Sequence, residues 1–135
     1  MSRVNRSRNL SVGLKMIDRD HKEIHDLLHE LHCGANQQSG QARLVSLLRQ
    51  LERLSSSHFS LEEGMMTATR FPGESLHRMR HEWMLEEIRR TLFAWMHPSF
   101  PATEHTSSML LGSHTDHVEH EDLRFDAWLD GPCLR

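Results

Sequence analysis

The chemistry open to this chain is carried by histidine, of which it holds 12 among 135 residues, beside 19 acidic side chains and only two cysteines. Imidazoles four apart on a helix lie on one face about a turn apart, within reach of a single metal ion. His77 and His81 have that spacing, as do His21 and His25, and His25 and His29. In a chain so rich in histidine such pairs also arise by chance, so no single pair carries weight. The stronger signal is that every expected helix bears histidine on or beside its apolar stripe. Two of them also carry a carboxylate nearby: His58 with Glu62, and His117 with Glu121 or Asp122. Burying five imidazoles and two carboxylates in a small core without partners costs on the order of several kcal/mol, and metal removes that cost. Imidazole with carboxylate and no thiolate suits iron, zinc, copper or manganese, and seven ligands suit two ions better than one. His29, His32, His97, His105 and His120 read instead as surface or core-edge side chains.

Other metal motifs fail on particular residues. The zinc-protease pattern His-Glu-x-x-His breaks after His81 and Glu82, because Leu85 occupies the last position. The ferritin-like pattern needs Glu-x-x-His twice, and only Glu74 to His77 supplies it, at a helix start. Cys33 and Cys133 are too far apart for a thiolate site and are expected at opposite ends of the fold, unbonded.

The elements that must position these groups are helical. Tyrosine is absent, β-branched residues are sparse, and no segment sustains a two-residue alternation. Asp18 or Asp20 can cap a first helix over 18–34, with Ile24, Leu27, Leu28 and Leu31 at 3-4 spacing and Gly34 as a stop. Leu44, Leu47, Leu48, Leu51 and Leu54, continued by Phe59, Leu61, Met65 and Met66, draw a second stripe that ends before Phe71-Pro72-Gly73. A third helix runs from about Glu74 to Met96, beyond which Pro98 blocks it. Met109, Leu110, Val118, Leu123, Phe125, Trp128 and Leu129 populate a fourth, closed by Gly131-Pro132. Four helices with short connectors predict an all-α, up-down-up-down four-helix bundle over 16–131, with a loose basic N-terminal arm over 1–15 and a tail over 132–135.

The net charge of −3 argues against nucleic acid as a partner. The longest neutral stretch, Thr91 to Thr103, contains Pro98 and Pro101, so no membrane span is expected. The N-terminus has Arg3, Arg6 and Arg8 but no convincing signal sequence, which makes a cytoplasmic location the default.

The sequence resembles the hemerythrins, in particular the short bacterial single-domain type, from about Gly13 to Leu129. The resemblance is carried by the run Gly13-Leu14-Lys15-Met16-Ile17-Asp18-Arg19-Asp20-His21, by His58-Phe59-Ser60-Leu61-Glu62-Glu63, by Phe71-Pro72 followed by His77 and His81, and by His117-Val118 with Asp122. It implies two iron ions, cycling between Fe2+ and Fe3+ with an oxo or hydroxo bridge. His77, His81 and His117 would hold one and His21 and His58 the other, with Glu62 and Asp122 bridging. The iron with two histidines would keep an open position for dioxygen. On an ideal helix, however, five residues turn about 500° and leave Asp122 some 140° from His117, so spacing alone prefers Glu121. The family pattern has aspartate at the later position, and a local π-type turn would reconcile the two.

Positions matching the family's oxygen pocket are Ile24, Phe59 and Val118. Ser113 and His114 stand where an apolar pair is usual, and His25 replaces a usually apolar or aromatic residue one turn after His21. A more polar pocket would let His25 and His114 donate hydrogen bonds to bound oxygen or shuttle protons. The expected function is reversible binding of dioxygen or another small oxidant, for oxygen carriage, delivery or sensing; sensing would need a partner protein. That makes the chain a binding protein rather than an enzyme. The alternatives are a di-iron oxidoreductase reducing peroxide or nitric oxide, and an iron store or sensor.

Overall fold

A computed structural model describes residues 3–36, 40–97, 99 and 104–129. Helix α1 spans Arg3–Asn36, α2 Gln41–Thr69, α3 Glu74–Trp95 and α4 Glu104–His117. A π-helical turn, Val118–Asp122, joins α4 to α5, Leu123–Leu129, so that α4, the π turn and α5 form one fourth rod. No strand occurs among the described residues. Each rod packs on the next, and α1 also packs on α4, which closes the expected bundle. No described helix is long and apolar enough to cross a membrane.

The stripes bury a layered interior. At one end Ile24, Leu28, Leu31, Leu44, Leu47, Leu48, Leu51, Ile88, Trp95 and Leu110 form an apolar cluster. At the other, Met66, Phe125 and Leu129 pack with Leu14, Met65, Phe71 and Trp128. On α2 a single face runs from Leu44 through Leu51 to His58 and Glu62 and on to Met66, all buried. Helical periodicity therefore threads a polar layer between two dry ones.

The tight turn after α2 keeps that layer closed. Arg70 adopts the left-handed conformation (φ 58°, ψ 43°), and its N–H and that of Phe71 return to the last carbonyls of α2. Phe71 then lies 5.1 Å from Phe125 and 5.5 Å from Trp128 between ring centres, sealing one end.

The N-terminal region departs from expectation. The first helix begins at Arg3, not near Asp18, so the arm expected over 1–15 is helical throughout its described part. No proline interrupts this stretch, and adding a residue to an existing helix avoids the cost of a new nucleus. Packing holds the extension: Leu14 joins the lower cluster, and the Met65 side chain folds against Gly13, where a Cβ would lie 2.7 Å from its sulfur. The tail over 132–135 and Cys133 lie outside the described residues; Cys33 is exposed and unbonded.

Candidate metal centre

Between the two apolar clusters, all four rods direct side chains to one place. Glu62, His77, His81, His117 and Asp122 offer donor atoms all within 4.8 Å of one another, and His21, His58, Glu62 and Asp122 form a second such group. The two groups share both carboxylates, and each carboxylate divides its oxygens between them. Glu62 Oε1 lies 2.5 Å from His77 Nε2 and 3.3 Å from His81 Nε2, while Oε2 faces His58 Nε2 at 3.6 Å and His21 Nε2 at 3.9 Å. Asp122 Oδ1 lies 3.0 Å from both His77 Nε2 and His117 Nε2, while Oδ2 lies 2.9 Å from His21 Nε2.

These seven residues fit metal better than they fit one another. The Nε2 atoms of His21, His58 and His77, Glu62 Oε1 and both Asp122 oxygens are buried and make no hydrogen bond, although their neighbours are close. The distances are short but the donors and acceptors are not aligned, which is the arrangement of lone pairs converging on a cation. Glu62 and His77 are each 1% exposed, and a buried polar atom left unpaired costs about 1–3 kcal/mol.

Orientation comes from carboxylates behind the ring. Asp20 Oδ2 lies 3.3 Å from His58 Nδ1, and Glu63 Oε2 lies 3.3 Å from His81 Nδ1. Each carboxylate accepts the Nδ1–H, which fixes the tautomer and leaves the Nε2 lone pair facing inward. The motif reading singled out neither Asp20 nor Glu63. Their signal in sequence is adjacency, since Asp20 precedes His21 and Glu63 follows Glu62. Replacing Asp20 with alanine is expected to weaken metal affinity about 10- to 100-fold while full occupancy is still reached at saturating metal. Competition against a chelator checks this, and unchanged affinity would remove Asp20 from the site.

The electrostatics show a cluster balancing buried charge with protons. Burial opposes charge on His77, but the Asp122 and Glu62 carboxylates outweigh it and lift its pKa to about 9. Burial likewise opposes charge on His21, and Asp122 again prevails and raises it. His81 is pushed down to about 3 by burial and then by the neighbouring His117 and His77. Burial also lowers His58 and raises Glu62, the latter helped by Asp122. Asp122 is held far below the usual carboxylate range, because the imidazoles of His117, His21 and His77 overcome its desolvation. A metal ion would take the place of these shared protons, since its ligands bind deprotonated.

The π turn decides between the two candidate acids on the fourth rod. Asp122 is 4% exposed and faces the cluster, whereas Glu121 turns toward Arg124, 4.0 Å away. A π turn closes on the fifth residue instead of the fourth, which brings Asp122 back to the face of His117.

The residues matched to an oxygen pocket separate. Ile24, Ser113 and His114 line one small cavity with Leu28, Leu51 and Ser55. Phe59 instead stacks on His81, centroids 3.9 Å apart, and Val118 is half-buried at the start of the π turn; neither lines the cavity. His25 is exposed and meets His29 edge-on at 4.4 Å, outside both groups, because an α-helix that buries His21 only partly carries its i+4 neighbour to the surface. Among the remaining histidines, His32 pairs with Ser107 at 3.0 Å, and His29, His97, His105 and His120 are exposed.

Fold and site together define a helical bundle built around a histidine-carboxylate centre able to hold metal. In sequence the chain is hemerythrin-like. It is similar to the bacteriohemerythrin of Pseudomonas aeruginosa strain PAO1, at 28% identity over 80 residues, covering 59% of this chain and 52% of the relative. The bacteriohemerythrin of Stenotrophomonas maltophilia strain R551-3 is 26% identical over 80 residues with the same coverage. The match thus spans about half the length of these curated relatives. No family model matches the chain, and no solved structure does.

Proposed function

We propose that the chain is a non-haem di-iron protein that binds dioxygen reversibly, for carriage, delivery or sensing. The observation that carries this reading is the division of each carboxylate's oxygens between a group of three imidazoles and a group of two. With Glu62 and Asp122 bridging, His77, His81 and His117 give one position five protein donors, whereas His21 and His58 give the other four. That inequality leaves the second position a site for an exogenous ligand. An iron pair held there would supply electrons to dioxygen and recover them on its release. The chain's own residues orient the imidazoles through Asp20 and Glu63 and exclude bulk water with apolar clusters on either side.

A second reading, a di-iron oxidoreductase acting on peroxide or nitric oxide, is favoured by one observation: buried His114 brings a polar group to the cavity beside His21. Metal content and the visible spectrum of anaerobically reduced, iron-loaded protein separate the readings. Two irons per chain and an absorption band that appears with oxygen and disappears on deoxygenation are expected. Irreversible oxidation without that band would reject the carrier in favour of the oxidoreductase, and absence of bound iron would reject both.

A further inference from the structure

The cavity lined by Ile24, Leu28, Leu51, Met84, Ile88 and Leu110 has a mostly apolar wall, interrupted by Ser55, Glu87, Ser113 and His114. Its volume of about 20 Å³ is room for one water-sized molecule. Its position is set by the helices: Ile24 follows His21 by three residues on α1, and Ser55 precedes His58 by three on α2. The cavity therefore lies against the two-imidazole position, the one short of a protein donor. His114 stands at the junction, its ring centre 6.4 Å from that of His21.

His114 is an anomaly where it stands. It is 5% exposed, and its donor atoms fall outside both converging groups. A buried imidazole carries one N–H whose loss of water goes uncompensated unless a partner arrives. Phenylalanine or leucine would fill such a space without that cost, so the polar group calls for a polar occupant.

Resting on the di-iron reading above, we propose that His114 donates a hydrogen bond to a small, electron-rich ligand bound at the His21/His58 position, with only its free end in this cavity. The cavity size limits what enters it to an atom or two, and of its polar lining groups His114 is the one whose ring meets that of His21. The donor would favour ligands that gather negative charge, azide among them, over neutral ones of the same size.

The test uses the full chain, iron-loaded, as parent and as His114→Leu and His114→Gln, with azide as the probe. Iron per chain is expected to stay at the parent value in both variants, because His114 is not a ligand. Azide affinity is expected to fall about 10- to 100-fold in His114→Leu and to recover largely in His114→Gln, whose amide restores a donor. Equal azide affinity in parent and His114→Leu would overturn the proposal, as would loss of iron from His114→Leu, which would make His114 a ligand. A parent that takes up no iron would overturn the di-iron reading and this proposal with it, whereas the first two outcomes leave that reading standing.

Discussion

On the di-iron reading, a chain carrying Glu62→Ala will hold at most one iron ion, and a chain carrying His120→Ala will hold as much iron as the parent. Glu62 stands between the two donor groups, with Oε1 toward His77 and His81 and Oε2 toward His58 and His21. Its loss therefore removes a donor from both positions at once, whereas loss of a single histidine removes one from one. Charge compounds the effect. Five neutral imidazoles contribute nothing against two divalent cations, so Glu62 and Asp122 supply all the negative charge in the cluster, and alanine at 62 halves it. Because apolar clusters flank the layer on both sides, bulk water screens the repulsion that remains less than it would at the surface. His120 is exposed and its Nδ1–H is given to the Asp116 carbonyl, so it has no part in this balance. Metal analysis of purified, iron-reconstituted variants reads the difference directly. Two ions retained in Glu62→Ala would refute a bridging role for this carboxylate.

What the sequence makes legible, and what it hides, divides along physical lines. The 3-4 spacing of leucines locates α2 and the far half of α1, because burial of a stripe is what stabilises those helices. The start of α1 at Arg3 leaves no such mark, since a polar helix extension needs only the absence of a breaker and a few contacts from Leu14 and Gly13. Of the candidate site, His58 with Glu62 and His77 with His81 announce themselves through their i, i+4 spacing on a buried face. The motifs of the resemblance single out all seven residues that the fold brings together. Spacing misassigns His25, because an i+4 neighbour shares a face only approximately and His21 already sits at the edge of the buried arc. Asp20 and Glu63 are hidden for a different reason. A carboxylate that accepts from the far side of an imidazole is fixed by ring orientation, and no periodicity records which way a ring turns.

The π turn is the feature that periodicity is least able to show, and it yields a sharp expected result. Asp122→Ala will reduce bound metal as severely as Glu62→Ala, while Glu121→Ala will leave it unchanged. The Asp122 carboxylate reaches His77, His117 and His21 at 2.9–3.0 Å, whereas Glu121 reaches only toward Arg124 at its rim. On an uninterrupted α-helix the fourth residue after His117 would face the cluster and the fifth would not. The π turn inserts one residue's worth of rotation, and the same insertion explains Phe125, which is 1% exposed although eight residues from His117. Eight residues of α-helix turn about 800° and would carry it some 80° off the buried face, whereas seven return to within about 20°. Excising the exposed His120 should therefore convert the π turn to α-helix, set the present Asp122 four residues after His117, and keep Phe125 and Leu129 in the lower apolar cluster. Such a deletion is expected to retain as much metal as the parent and a folded bundle, where a deletion within α4 would rotate every side chain beyond it by about 100°. Metal content and helical circular dichroism of the His120 deletion, beside Asp122→Ala and Glu121→Ala, check the set. Metal lost from Glu121→Ala, or from the His120 deletion with its helices intact, would mean that the π turn is not what presents the carboxylate.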